Sequence, residues 1–180
     1  MLNEVLENTE RFMSSVPKAK RKKYGQFFTN ATTAKFMASL FCFDLSKKQV
    51  DILDAGAGTG ILAAAVVQKL LESGYGGAIH ITCYETDELV LPLLEENMIL
   101  CNKLHNVSYT IKRENYITSQ NFSGFTLFNN ENYQYDYIIG NPPYMKIAKD
   151  AAEALAIPEV CYGAPNLYFL FWAMGIHNLK

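Results

Sequence analysis

No two cysteines of this chain stand at a metal-ligand or redox spacing. Cys42, Cys83, Cys101 and Cys161 are far apart, none forms a CxxC pair, and His80, His105 and His177 stand at no metal-ligand spacing to them. This argues against a zinc site and a disulfide framework. Each cysteine lies in or near an apolar stretch, so buried free thiols in a reducing compartment are expected. Long apolar runs are also missing. The longest, "NLYFLFWAMGI", falls short of the roughly 18 residues a bilayer span requires and reads as a core helix. The opening "MLNEVLENTERFM" is polar and acidic, without the apolar core of a secretory signal. Charge of one sign is not in excess either: 16 basic residues stand against 18 acidic ones, a net charge of −2. That balance neither demands nor excludes a nucleic-acid partner, because a local patch suffices. A cytoplasmic protein with no membrane partner and no metal is the expectation. Apolar residues, by contrast, are plentiful: at 49% of 180 residues they can build one domain with a substantial core.

The apolar periodicity predicts a regular order of elements. Residues 1–13 read as an amphipathic helix, with Leu2, Val5, Leu6 and Phe12 near helical spacing. In residues 18–23 five of six positions are basic, which suits either a solvated linker or an arm that contacts phosphates. "ATTAKFMASLFCF" reads as a helix with Ala34, Met37, Ala38 and Phe41 on one face. Then "VDILDAGAGTG" is a strand running into a glycine loop, "ILAAAVVQKLLESG" a helix stopped by Gly74, and "AIHITCYETD" a second strand. "ELVLPLLEENMILCN" is a helix with Pro92 tolerated near its start, and "NVSYTIKREN" a third strand. An Asn-rich loop over 118–134, with room for a short strand pair, precedes a fourth strand, "YDYIIGNPPY". A loop over 145–165 and a helix over 166–179 complete the chain. Strands alternating with helices predict an α/β fold, a mostly parallel sheet with helices on both faces. With four strands read, that sheet is expected to be incomplete at the C-terminus.

"DAGAGTG" carries glycines 56, 58 and 60 between a strand and a helix, where a backbone can approach a ligand closely. The dinucleotide fingerprint GxGxxG is broken, because Ile61 stands where its third glycine belongs. S-adenosylmethionine carries no phosphate. It requires a loop that admits its amino-acid end, an acid nearby for its ammonium, and an acid at the next strand end for its ribose hydroxyls. Asp54 adjoins the loop and Glu85 in "CYETD" ends the next strand. A carboxylate accepts from a diol more strongly than a neutral group does. Thr86 and the turn after it then flank the adenine. The alternative is a plain strand-to-helix turn beside a surface glutamate.

"NPPY" ends the fourth strand. Proline cannot donate to a sheet ladder, and the residue before it is held extended. Asn141 is thus a polar group fixed at a strand's carboxyl end, where open α/β sheets bind ligands. An exocyclic amine is a poor nucleophile while its lone pair is delocalised into a ring. Acceptors on its two protons, the side-chain oxygen of Asn141 and the backbone oxygen of Pro142, would favour a more tetrahedral nitrogen. Tyr144 offers a ring face for a planar base.

In order, "GQFFT", "DAGAGTG", "YETD", "NPPY" and "NLYFLFWAM" resemble the gamma class of N6-adenine DNA methyltransferases of restriction–modification systems. The resemblance covers residues 17–180. It implies a Rossmann-like S-adenosylmethionine-dependent methyltransferase fold, S-adenosyl-L-methionine as cofactor, and a flipped adenine in double-stranded DNA as substrate. Gln26 and Thr29 would reach the methionine end. Asp54, Gly56 and Gly58 would form the cofactor loop, with Glu85 at the ribose. Asn115 and Tyr116 fall where the family has an acid and an aromatic at the cofactor's adenine. Asn141, Pro142 and Tyr144 would be catalytic. A specificity or restriction subunit would be a further partner. The implied division is a helix and basic arm over 1–30, ending in the upstream cofactor motif, and a partial catalytic domain over 31–180 without a target recognition domain. The sequence departs from the family at Asn30, where proline is frequent, and at Asn115, where an uncharged amide replaces the acid and predicts weaker cofactor binding. Glu114 is a neighbouring substitute, although strand alternation points it away. Protein-glutamine and RNA-base methyltransferases also use NPPY. They remain alternatives, as does a fragment that binds cofactor without turnover.

Overall fold

The computed structural model describes residues 1–18, 29–120, 122 and 134–180. Gln26, most of the basic run and most of the Asn-rich loop lie outside the described residues. The elements are α1 (Leu2–Ser15), α2 (Ala31–Ser39), β1 (Gln49–Ala55), α3 (Ile61–Glu72), β2 (Ala78–Tyr84), α4 (Leu91–Asn102), β3 (Val107–Lys112), β4 (Tyr137–Ile139), α5 (Ala152–Ala156), a 3₁₀ turn (Pro158–Val160) and α6 (Leu167–Asn178). The four strands form one sheet in the order β3-β2-β1-β4. Every pairing is parallel, with Ile52 opposite Ile81 on one side of β1 and opposite Tyr137 on the other. The order reverses at β1. The crevice outside the carboxyl ends of β1 and β4 is therefore the switch point at which such sheets take ligands.

Both sheet faces are covered at the centre, so β1 and β2 are buried over their last four residues, whereas the edge strand β3 is buried only at Val107. Val50, Ile52, Ile79, Ile81 and Cys83 face a core shared with α1 to α4. Leu53, Ala55 and Tyr84 face a second core completed by Tyr116, Ile157, Leu170 and Met174. Helix α3 is buried over Ile61–Val67 and at Leu70, as expected for a helix hemmed in by a sheet and other helices. Leu2, Val5 and Leu6 of α1 enter the same core.

Asn30 is the N-cap of α2, its side chain accepting from Thr33 N–H at 2.8 Å. Such a cap contributes about 1 kcal/mol, which accounts for an amide where the family often has proline. Helix α2 ends at Ser39, so Phe41 lies beyond the face expected for it. The span 145–165 is not the loop expected. It holds α5 and the 3₁₀ turn, with Ala154 and Ile157 buried. Helix α5 has five residues, too few for a periodic signal, and tertiary packing holds it. The thiols also differ from expectation. All four are free, but only Cys83 and Cys101 are buried. Cys161 is half-buried and Cys42 is exposed in the turn after α2. Among the described residues no helix is long and apolar enough to cross a membrane, and no group of His, Cys, Asp and Glu is arranged to hold a metal ion.

Candidate active site

Chain turns at the carboxyl ends of all four strands meet in one cavity of about 340 Å³, within the range for small-ligand sites. The loop after β1 forms its floor. Gly56, Gly58 and Gly60 all have positive φ, at 71°, 55° and 77°, the left-handed region that disfavours a side chain. Space is limited as well. A Cβ on Gly56 would stand 3.3 Å from the Phe171 ring, and one on Gly60 would stand 2.7 Å from Met98 Cε. Thr59 clamps the loop from behind. Its Oγ1 accepts from Thr9 Oγ1 at 3.0 Å, and its carbonyl accepts from Asn97 Nδ2 at 2.8 Å. Asn97 in turn accepts from Asn8 Nδ2 at 3.1 Å. Helix α1 thus holds the loop through hydroxyl and amide groups that periodicity does not reveal. Thr9→Val should cost about 1–3 kcal/mol of stability by leaving a buried hydroxyl without its donor. Urea unfolding would measure this, and an unchanged midpoint would show that the contact is idle.

Glu85 follows β2, is 7% exposed and lines the cavity. Its carboxylate is heavily used by backbone: Oε2 accepts from Gly58 N–H at 2.8 Å, and Oε1 from Thr86 and Asp87 N–H at 2.7 and 2.9 Å. The acid therefore joins the glycine loop to the turn after β2 and presents that edge to the cavity.

Asp54 sits differently. It is fully buried and does not line the cavity. Its Oδ2 accepts from Ala63 N–H at 3.0 Å, which ties the end of β1 to the first turn of α3. Among the described residues its Oδ1 has no hydrogen-bond partner. Burial, opposed by the Ala63 bond and reinforced by the nearby Glu85 charge, pushes its carboxyl from 3.8 up to about 7. Between these values the folded protein holds a proton that the unfolded chain has released. Stability therefore falls as pH rises from about 4 to 7, and then levels off. From pH 5 to pH 8 the loss attributable to Asp54 is about 3 kcal/mol. Asp54→Asn, which imitates the protonated acid, should abolish that component. Denaturant melts at both pH values would test it, and an equal pH slope in the two proteins would show that Asp54 is not the titrating group.

At β4, Gly140 and the prolines end the strand. Asn141 lines the cavity, and its Nδ2 donates to Thr29 Oγ1 at 3.3 Å. The last residue of the upstream motif thus meets the first of the tetrad across 112 positions of chain. The contact sets the amide's nitrogen edge toward Thr29. Pro142 is buried, and neither it nor Tyr144 belongs to the cavity lining, whereas Pro143 and Met145 do. Tyr144 is exposed at the rim, its ring stacked on Tyr168 with centroids 4.8 Å apart.

The β3 side is closed by Glu114, Asn115 and Tyr116. Tyr116 is buried, packs edge-on to Tyr84 and receives a bond from Asn178 Nδ2 at 3.1 Å. Burial pushes its phenol well above the usual value. Of the residues singled out in the sequence, Thr29, Gly56, Gly58, Glu85, Thr86, Asn115, Tyr116 and Asn141 line one space. Sequence reasoning missed Phe171 and Glu153, which line it too. Phe171 is hidden in a run that reads as core, and Glu153 in a span that reads as loop.

The lining's charge narrows what can bind. Among the described residues it holds four carboxylates, Glu85, Asp87, Glu114 and Glu153, and no lysine or arginine. A pyrophosphate would meet only like charge, whereas a sulfonium with an ammonium would be attracted. The glycine cradle, the Glu85 carboxylate in the cavity wall and the absence of basic residues from this lining among the described residues fit S-adenosylmethionine.

Residues 5–155 match the family model described as N-6 DNA Methylase. The type II methyltransferase M.PstI of Providencia stuartii is 34% identical over 171 residues, covering 93% of this chain and 33% of that protein. A release factor glutamine methyltransferase of Fusobacterium nucleatum subsp. nucleatum is 33% identical over 141 residues, covering 77% of this chain and 34% of that protein. A class I S-adenosylmethionine-dependent methyltransferase structure from Listeria monocytogenes, there described as putative, superposes with a TM-score of 0.68 at 19% identity. It covers 99% of this chain and 51% of the other, a likeness of fold. The chain spans about a third of the length of the curated relatives it matches.

Proposed function

The chain belongs to the N-6 DNA methylase family, and from that premise we propose that it is the catalytic part of a site-specific DNA adenine methyltransferase of a restriction–modification system. Its substrate is double-stranded DNA, and its reaction moves a methyl group to the N6 amine of an adenine turned out of the helix. When bound, S-adenosylmethionine supplies an electrophilic methyl group on a sulfonium. Everything else falls to this chain's residues. The Gly56–Gly60 loop admits the cofactor backbone closely, and Glu85, with one acceptor site left on Oε2, accepts from a ribose hydroxyl. Asn141 and the Pro142 carbonyl accept from the two amine protons and bring the nitrogen lone pair toward the donor. The prolines fix the second acceptor before substrate arrives, which is preorganisation. The amine passes a proton to water after transfer. Tyr144, at the rim beside Tyr168, stacks on the base, a contact worth roughly 1–3 kcal/mol. Gln26 and Thr29 serve the methionine end. A specificity or restriction subunit is the further partner that fits such a system.

The observation that carries this reading is the cavity itself: Asn141 shares it with the glycine loop and Glu85, and its lining has no basic residue among the described ones. The test has two arms. Calorimetric titration of the chain with S-adenosylmethionine and with NAD should give saturable binding to the first alone. In the full-length protein, labelled methyl groups should pass to adenine in duplex DNA. Transfer to a glutamine-containing release-factor peptide instead would overturn the DNA reading while keeping the cofactor.

A further inference from the structure

Asn115, after β3, has no acceptor capacity left for a ligand. Its Oδ1 takes N–H bonds from Ile117 at 3.0 Å and Thr118 at 3.2 Å, which fills both lone pairs of the amide oxygen. Its Nδ2 is turned to Glu153 Oε1 at 2.8 Å. Glu153 lies on α5, lines the same cavity and is half-buried. An ionised carboxylate offers about four lone-pair sites, so one bond from Asn115 orients the group without exhausting it.

The strand order places this acid. Among the described residues β3 and β4 are the two edges of the sheet, with β2 and β1 between them and neighbours about 4.8 Å apart. Asn141 marks the β4 end, Glu85 the β2 end, and Glu153 is tied to the residue beyond β3. A cofactor with its methyl group by Asn141 and its ribose by Glu85 lays its base toward Asn115, Tyr116 and Glu153. A carboxylate only accepts, so it recognises an N–H and repels a carbonyl.

We propose that Glu153, oriented by Asn115, is the acceptor that reads the exocyclic amine of the cofactor's adenine, and so sets a preference for a 6-amino over a 6-oxo purine. This rests on the S-adenosylmethionine reading above. It also explains how an amide can stand at position 115: the charge comes from α5. Glu114 adds charge to the same lining but is exposed, and Asn115 turns its Nδ2 to Glu153 instead.

The test compares S-adenosylhomocysteine with its 6-oxo counterpart, S-inosylhomocysteine, titrated into wild type, Glu153→Gln, Glu153→Ala and Glu114→Gln. Wild type should prefer the amino ligand by roughly tenfold or more, the scale of one hydrogen bond to a charged group. Glu153→Ala should bring the ratio toward one. Glu153→Gln should erase or invert it, because the glutamine Nε2 can donate to a 6-oxo group. Glu114→Gln should keep the wild-type ratio. Each ratio is internal to one protein, so a general loss of fold does not imitate the effect. Wild-type discrimination retained in Glu153→Gln overturns the inference, as does equal binding of both ligands by wild type, although the cofactor reading then stands. Binding of neither ligand by wild type overturns both.

Discussion

Asn141→Ala is expected to lower methyl transfer by about 10²- to 10³-fold, the scale for removing one preorganised polar group aimed at a reacting atom. The cofactor dissociation constant should stay nearly unchanged. The asymmetry follows from position. Asn141 stands at the β4 end of the cavity, whereas the groups assigned to the cofactor's ribose and base lie at β1, β2 and β3. Its Nδ2 donates to Thr29 Oγ1 of the upstream motif at 3.3 Å, a long bond. Losing the acceptor therefore removes help to the amine and leaves those cofactor groups in place. Single-turnover rates on duplex DNA with saturating cofactor, beside a calorimetric titration of the same variant, would separate the two. A rate within tenfold of wild type would refute the acceptor role. A large rise in dissociation constant would move Asn141 from the amine to the cofactor.

Much of this arrangement was legible in the sequence, for a physical reason. β1 and β2 are each buried over their last four residues, so they read as short, mostly apolar segments that run into glycine or charge. Helix α3 starts after Gly60 and stops before Gly74, and both glycines have positive φ. The tetrad had to end a strand because proline cannot donate. Other features arise only when distant segments meet. Asp54 reads as an acid beside a cofactor loop, yet it is buried under the loop and bound to Ala63. The reach of α1 to Thr59 is made by a threonine and asparagines with no motif around them. Helix α5 is shorter than two turns, so Glu153 could be brought to the cavity only by packing of Ala154 and Ile157. In the sequence Tyr144 is a single stacking ring. Tyr168, on the next helix, makes it half of a pair.

Glu85→Ala should weaken cofactor binding by about 1.5–3 kcal/mol through the lost charged acceptor alone, or roughly 10- to 150-fold. The structure adds a second cost. Three backbone N–H groups, those of Gly58, Thr86 and Asp87, converge on the carboxylate. Alanine leaves all three without their acceptor, so the loop and the turn after β2 separate before any ligand arrives. Glu85→Gln is the sharper experiment. One oxygen survives, but an NH₂ must face either Gly58 N–H or the Thr86 and Asp87 pair. Donor then opposes donor in a site only 7% exposed, at a cost of about 1–3 kcal/mol. An exposed ribose ligand would lose affinity on this change and leave the melting temperature alone. A carboxylate that also pins the loop should lose both. Calorimetry paired with thermal unfolding distinguishes the cases: affinity and stability falling together support the double role, and full affinity in either variant would remove Glu85 from the ribose site.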